Sequence, residues 1–234
     1  RNFSNSTDLQ IHKQLIINTL HFYFRFKTFM QTRLAQSISI LFHPIFMPTL
    51  AFFMLFFVSY QVTGLTNEAK FHLLGLIFFS TCAVPAISVF MLYKSKLISS
   101  MHIEDRKERI VPFTFTTLFF VIITYMLVSK IGVASIISSL MTGITLMMCL
   151  LTLITLFYKV SIHACGVSSL VGFLFGIQQQ YPALDLLYPI LIFIVLLGLV
   201  LSARLQLKAH TLGELLLGTV LGFGTCFTLI VNSF

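Results

Sequence analysis

Charged side chains are scarce in this sequence: Asp, Glu, Lys and Arg make up only 9% of its 234 residues, whereas 57% are hydrophobic. Soluble domains carry about a quarter charged residues, so the composition excludes an ordinary soluble domain and indicates an integral membrane protein. The alternation of apolar and polar residues that is typical of a membrane β-barrel is missing too. The apolar runs are continuous and about twenty residues long, which predicts an all-α, polytopic bundle of transmembrane helices.

Paired cysteine motifs are also missing, because the four cysteines lie scattered in apolar segments without Cys-x-x-Cys spacing. They predict neither a disulfide framework nor a zinc site. Acidic residues are few, 7 against 15 Lys and Arg, which gives a net charge of +8. Since the cations flank the apolar runs, this surplus indicates membrane topology or an anionic substrate before it indicates nucleic-acid binding.

The chain divides into an N-terminal segment, residues 1–37, and a helical domain, residues 38–234. The first segment mixes basic, aliphatic and aromatic residues and is interpreted as an interfacial helix on the membrane or as a partly disordered tail. It shows no cleavable signal peptide, and the chain starts at arginine rather than methionine. Six to seven spans are predicted from seven apolar runs, at about 38–60, 71–93, 112–129, 133–158, 163–178, 184–203 and 210–232.

Folded as a zigzag, these runs place most of the polar chemistry on one face of the membrane. The start of the first run, the loop 94–111 and the turns near 159–163 and 203–210 share that face. Four of the seven histidines belong to it: His43, His102, His163 and His210. His43, followed by Pro44, predicts a kinked helix start; a polar contribution to the site is the alternative.

The stretch from Ser202 to Glu214 concentrates ionisable groups just before the last apolar run. His210 and Glu214 are four residues apart, so on a helix they would lie one turn apart on one face. An imidazole oriented by a carboxylate can serve as a nucleophile. Arg204, just upstream, can bind an anion.

Two other segments on the same face add candidate groups. The loop 94–111 contains Lys107 and Arg109 in a run of mixed charge, for which a solvated loop is the simplest interpretation. Ser161 and His163 stand where the fifth run opens, and helix N-termini favour anions. A helix cap and an interfacial histidine satisfied by its neighbours are the alternatives for these two residues.

Together the three segments resemble the signature of the type 2 phosphatidic acid phosphatase superfamily of membrane-embedded lipid phosphatases. That signature reads Lys-x6-Arg-Pro, Pro-Ser-Gly-His and Ser-Arg-x5-His-x3-Asp. Its third part is matched by Arg204, His210 and Glu214, with glutamate in place of aspartate. The resemblance covers roughly residues 94–232.

The other two parts of the signature are divergent in this chain. Ser161 and His163 keep the Ser-x-His spacing, but isoleucine replaces the intervening glycine and valine the preceding proline. In the first part Arg109 stands for the arginine. The proline, however, falls at Pro112, and His102 occupies the place of the lysine.

The resemblance implies a lipid-phosphate phosphatase or phosphotransferase that acts through a phosphohistidine, without metal or other cofactor. His210 would attack phosphorus, Glu214 would orient it, and His163 would protonate the leaving oxygen. The phosphate-binding residues would be Arg109, Arg204, Lys107 and Ser161. The partners would be membrane lipids, such as a phosphorylated lipid or isoprenoid phosphate, and no nucleic acid.

The departures from the signature keep a second hypothesis open, a catalytically degraded membrane subunit that acts as a scaffold or lipid-binding module. A transporter is a third, since intramembrane ionisable residues would mark one, but the runs lack charges near their centres. The expected location is the bacterial inner membrane. The face that holds most of the polar chemistry is called the equipped face below. The positive-inside rule puts it in the cytoplasm, because the other face holds only Lys70 and Lys130 as cations. Bacterial members of the resembled family usually act on the outer side, so orientation stays open.

Overall fold

The computed structural model describes residues 31–101, 103 and 105–233 of the chain. His102 and most of the N-terminal segment, for which an interfacial helix or tail is predicted, lie outside these residues. Within them the secondary structure is helical, without strands, which confirms the all-α prediction. The α-helices are α1 (31–41), α2 (Met47–Phe53), α3 (Asn67–Phe78), α4 (Val84–Lys94), α5 (Arg106–Tyr125), α6 (Ser135–Thr155), α7 (Ile162–Gln180), α8 (Leu187–Gln206) and α9 (Leu212–Val231).

Short π-helical and 3-10 turns join or extend several of these helices. Seven of the resulting segments are long and apolar enough to cross a membrane. Their bounds are Gln31–Val58, Asn67–Lys94, Arg106–Ile131, Ser135–Thr155, Ile162–Gln180, Leu187–Gln206 and Leu212–Val231. The chain is therefore a polytopic, integral membrane protein, as its composition predicts. Residues 31–37 of the N-terminal segment are helical and continue into the first span.

The third span begins earlier than the apolar run that predicts it. The run starts at about residue 112, whereas α5 starts at Arg106 and contains Pro112 in its interior. Asp105 caps the helix, since its Oδ1 accepts a hydrogen bond from the backbone N–H of Lys107 at 3.1 Å. The cap stabilises the first turn of the helix although its residues are polar. Arg109 lies on the buried side of this helix.

The first span is interrupted at His43. The side chain of His43 caps the 3-10 turn Pro44–Phe46, because its Nδ1 accepts a hydrogen bond from the backbone N–H of Ile45 at 3.3 Å. Proline at the first position of that turn has no N–H to satisfy. A kinked start was predicted here, whereas the span begins at Gln31 and the break at His43 lies inside it.

The bundle is built around α7, in which every residue from His163 to Ile177 except Phe175 is buried. This helix packs along α9 and α8 and also contacts α6 and α2, while α5 packs on α6. A helix buried on nearly all sides needs neighbours with small residues, because only they let two backbones approach closely.

The closest approach is between α7 and α9. A Cβ atom added at Gly222 would lie 2.1 Å from the carbonyl oxygen of Cys165, and one at Gly218 would lie 2.7 Å from that of Ser161. The Gly-x-x-x-Gly spacing in α9 therefore serves packing. It also brings the start of α9 beside the start of α7, where the backbone N–H of Ser161 donates to the carbonyl of Glu214 at 3.3 Å.

Candidate functional site

A cavity of about 340 Å³ opens among the helix ends of the equipped face. Five of its lining side chains are cationic or can be protonated: His43, Arg109, His163, Arg204 and His210. No aspartate or glutamate lines it among the described residues. Four predicted site residues thus meet at one cavity. They come from the starts of α5 and α7, the last turn of α8 and the turn between α8 and α9. The charge of the cavity suits an anion.

The rest of the lining is mostly apolar and comes mainly from the first four spans. It includes Met47, Pro85, Phe113 and Ile144. Phe120 also lines the cavity, and it lies eleven residues beyond Arg109 on α5, about 16 Å along the helix axis. The cavity therefore leads from a cationic end into the apolar interior of the bundle.

His210 and Glu214 form the pair that their spacing predicts. Nδ1 of His210 lies 2.6 Å from Oε2 of Glu214, and the His210 side chain is only 1% exposed. The helical geometry expected for the pair differs, because α9 starts at Leu212 and Thr211 caps it. His210 lies just outside the helix and reaches back to the first turn. Since a carboxylate can only accept, Nδ1 carries the proton, and Nε2 keeps its lone pair.

Burial, together with the positive charges of Arg109 and Arg204, lowers the pKa of His210 to about 4. The hydrogen bond and the charge of Glu214 act in the opposite direction and raise it. His210 is consequently neutral at neutral pH. A neutral imidazole with one nitrogen bound to a carboxylate has the other nitrogen available as a nucleophile.

His163 is held by the first span. Its Nε2 lies 3.3 Å from the carbonyl oxygen of Ser39, so Nε2 carries the proton that is donated to this acceptor. Nδ1 of the same ring is buried and has no hydrogen-bond partner. Buried polar atoms are nearly always paired, and an unpaired one beside a cavity is positioned to serve a ligand. His163 therefore has one fixed nitrogen and one nitrogen for proton transfer.

Arg109 is anchored by backbone carbonyls from two loops. Its Nε donates to Ile103 at 2.9 Å and its Nη1 to Val160 at 3.4 Å. Ile103 has a φ of 43°, in the left-handed region that β-branched residues avoid. The carbonyl of this strained residue accepts the hydrogen bond from the guanidinium, so the strained loop conformation helps to orient Arg109.

Arg204 lies in the last turn of α8 and lines the same cavity. Its Nε is buried without a hydrogen-bond partner, which leaves an N–H group for a ligand. The following turn is closed by Lys208, whose φ of 52° is again left-handed. The Nζ of Lys159 donates to the carbonyl of Ala209 at 3.1 Å and so ties this turn, with His210, to the start of α7.

Two predicted phosphate ligands are not brought to the cavity. Ser161 is fully buried and caps α7, since its hydroxyl oxygen accepts the backbone N–H of Ala164 at 3.4 Å. The simpler interpretation, a helix cap, describes it. Lys107 is exposed on the first turn of α5 and does not line the cavity. Its neighbour Arg106 donates to the carbonyls of Thr155 and Leu156 and so clips α5 to the end of α6.

The carbonyls of Ser39, Ile103 and Val160 were not among the residues predicted for the site. No sequence pattern could have identified them, because every residue has a carbonyl and only the fold decides which one meets a side chain. Lys159 could have been found from its place near Ser161, but its side chain binds the backbone carbonyl of Ala209 in the neighbouring turn. His43 was predicted to kink a helix and also lines the cavity.

The fold and the site together define an integral membrane protein with a cationic cavity at one membrane face. Comparison with protein-family models, with curated proteins and with solved structures gave no match. In the part of the chain that the structure describes, no group of three or more His, Cys, Asp or Glu side chains could hold a metal ion. The chemistry of the site is therefore inferred from its own residues.

Proposed function

We propose that the protein is a lipid-phosphate phosphatase or phosphotransferase that works through a phosphohistidine. One observation carries the proposal: two arginines and two histidines, each histidine held through one ring nitrogen, line one cavity, which leads into an apolar interior. Phosphoryl transfer needs a positioned nucleophile, an acid for the leaving oxygen and cations around the phosphate oxygens. These four residues can supply all three.

The substrate class follows from the two ends of the cavity. A phosphate group binds at Arg109 and Arg204, because guanidinium groups bind phosphate oxygens in a bidentate manner. The hydrocarbon part of the substrate lies among the apolar residues deeper in the bundle, such as Phe113 and Ile144. A phosphorylated lipid or isoprenoid phosphate, entering from the bilayer, has both parts in one molecule.

In the first step Nε2 of His210 attacks phosphorus, and an N–P bond forms as the P–O bond to the lipid breaks. The Glu214 carboxylate holds the proton on Nδ1 and stabilises the positive charge that develops on the ring. The leaving oxygen takes a proton from Nδ1 of His163, which enters the step protonated on both nitrogens. The products of this step are a lipid alcohol and phosphohistidine.

In the second step a water molecule replaces the lipid alcohol. His163, now neutral at Nδ1, accepts a proton from the water as its oxygen attacks phosphorus. The N–P bond breaks, and inorganic phosphate and neutral His210 are restored. An alcohol in place of water would make the same site a phosphotransferase.

The resemblance to type 2 phosphatidic acid phosphatases supports this assignment, since Arg109, His163, Arg204, His210 and Glu214 occupy the matching positions of its signature. It also supports a place in a bacterial inner membrane. The side on which the site opens is left to experiment, because the distribution of cations and the resemblance favour opposite sides.

A non-catalytic lipid-phosphate-binding subunit is the second candidate, and one observation favours it. Ile162 lines the cavity with a branched apolar side chain where the signature has glycine. Glycine lets a backbone approach a ligand closely, and isoleucine restricts that approach. Such a protein would bind phosphorylated lipid without turning it over.

The experiment that tests the proposal is phosphate release from isoprenoid monophosphate and phosphatidic acid by purified protein, in the presence of a chelator. His210→Asn is the matched variant, because its amide can donate to Glu214 but cannot form a phosphohistidine. Release by the natural protein and none by His210→Asn is the expected result. Saturable binding of orthovanadate without any release would favour the second candidate. Unchanged release by His210→Asn would overturn the mechanism.

A further inference from the structure

The first span contributes one more ionisable side chain to the cavity, that of His43. It lines the cavity together with Arg109, His163, Arg204 and His210. It is the member of this group that comes from outside the three segments with a phosphatase-like signature. The same span also supplies the carbonyl of Ser39 that holds His163, so the span approaches the site at two neighbouring points.

The tautomer of His43 is fixed by the kink. Its Nδ1 accepts the backbone N–H of Ile45, and an accepting nitrogen carries no proton. The neutral ring must therefore carry its proton on Nε2, which makes Nε2 the donor nitrogen. Pro44 restricts the backbone on the other side of the cap. The donor is thus attached to a rigid turn, and holding it in place costs little entropy when a ligand binds.

The ring of His43 stands edge-on to the ring of His163, with centroids 5.4 Å apart and planes at 78°. Two imidazoles at this distance cannot both be charged without repulsion. The cap goes with a neutral His43, because an Nδ1 that accepts carries no proton, and a neutral imidazole is still a hydrogen-bond donor. His43 therefore adds a donor to the cationic end of the cavity without adding a charge beside the proposed acid.

We propose that His43 is a substrate-contacting residue, whose Nε2–H donates a hydrogen bond to the phosphate group held by Arg109 and Arg204. The proposal rests on the proposed function, because it assigns a further ligand of the same anion. It predicts a role in binding beyond the cap seen at Pro44. The ligand chemistry is that of a tetrahedral oxyanion, whether free or attached to a lipid.

Two variants separate the cap from the donor. In His43→Asn the short amide keeps the capping acceptor, since asparagine is among the best capping residues, but its N–H groups no longer reach as far as Nε2. In His43→Gln the amide nitrogen takes the place of Nε2, whereas the capping acceptor is lost. The probe is orthovanadate, with phosphate release from isoprenoid monophosphate as the second readout.

We expect His43→Asn to melt at the temperature of the natural protein, to bind vanadate about ten-fold more weakly or worse, and to show a raised KM. His43→Gln should melt at a lower temperature but bind vanadate within about three-fold of the natural protein. If His43 only caps the turn, the two variants should give the reverse pattern. Vanadate affinity in His43→Asn equal to that of the natural protein would overturn the role of His43 but leave the proposed function standing. Arg204→Gln, which removes a proposed anion ligand, is the positive control. If the natural protein binds no vanadate and releases no phosphate, the proposed function fails, and this inference fails with it.

Discussion

Nδ1 of His210 and Oε2 of Glu214 lie 2.6 Å apart, although the histidine stands outside the helix that carries the glutamate. The cap formed by Thr211 lies between them: its hydroxyl accepts the backbone N–H of Glu214 at 3.4 Å. The local turn therefore brings the imidazole and the carboxylate together, as one turn of helix between them would have done. It fixes one ring nitrogen and leaves the other for chemistry.

Replacing Glu214 by glutamine should remove most of the activity while leaving the phosphate ligands in place. The amide cannot stabilise the charge that develops on His210, and it can donate to Nδ1 and so reverse the tautomer. By analogy with orienting carboxylates in other enzymes, we expect kcat to fall by roughly 10²–10⁴ with a smaller change in KM. Single-turnover formation of phosphohistidine measures this. Glu214→Asp is the control that keeps the charge; if Glu214→Gln were as active as the natural protein, the orienting role would be wrong.

The stability of the protein should fall on acidification because His210 is buried in its neutral form. Its pKa is about 4 in the folded protein, below the 6.5 or so of a solvated histidine. Between these values the unfolded chain binds a proton that the folded protein does not. The contribution of His210 is therefore fully present above pH 6.5 and is lost as the pH falls towards 4.

This prediction is checked by thermal unfolding in detergent from pH 7.5 to pH 4. His210→Asn should show a smaller loss of melting temperature over that range than the natural protein. His72→Asn is the matched control, since His72 is exposed near the start of α3, and it should follow the natural protein. Identical acid profiles for all three proteins would contradict the neutral state of buried His210.

Gly222→Ala should destabilise the bundle and weaken the site. The added Cβ would lie 2.1 Å from the carbonyl oxygen of Cys165, a backbone atom that can move only if α7 and α9 separate. Overpacking of this kind costs about 1–3 kcal/mol, and separation displaces His210 from His163. Gly224→Ala in the same helix meets nothing within 4 Å and should be neutral or slightly stabilising. Melting temperature and vanadate affinity should both fall for Gly222→Ala alone; equal behaviour of the two variants would contradict the packing.

The two arginines should respond differently to replacement by lysine. In Arg109→Lys the hydrogen bond from Nε to Ile103 is lost together with the guanidinium fork, so both melting temperature and vanadate affinity should fall. In Arg204→Lys the lost Nε had no partner. We therefore expect vanadate affinity to fall by about ten-fold or more while the melting temperature stays close to that of the natural protein. A matching loss of stability in Arg204→Lys would argue that its role is structural.

The fold was predictable because long apolar runs have few alternatives in a membrane. The pair of His210 and Glu214 was predictable too, since four residues of chain hold the partners close together whether or not they are helical. The start of α5 was not, because the cap at Asp105 extends the helix through charged residues that an apolar run excludes. Local chemistry, rather than hydropathy, sets that end.

The rest of the site depends on contacts between distant segments. Nε2 of His163 meets the carbonyl of Ser39, 124 residues away, and neither residue type predicts the other. Ser161 had two possible roles in the sequence, and the packing of α7 against α9 buries its hydroxyl in the capping role. Spacing can propose which residues meet, but close packing decides which of their atoms face the cavity.

Obstructing the apolar part of the cavity should separate lipid turnover from anion binding. Ala86 lines the cavity and is exposed rather than packed in the core, so Ala86→Phe can narrow the passage without overfilling the core. We expect phosphate release from isoprenoid monophosphate to fall about ten-fold or more, with vanadate affinity within about two-fold of the natural protein. Ile87→Phe is the matched control, because Ile87 is 51% exposed and does not line the cavity. Since the anion ligands lie at the other end, a variant that loses vanadate binding and lipid turnover together would contradict a separate place for the hydrocarbon chain.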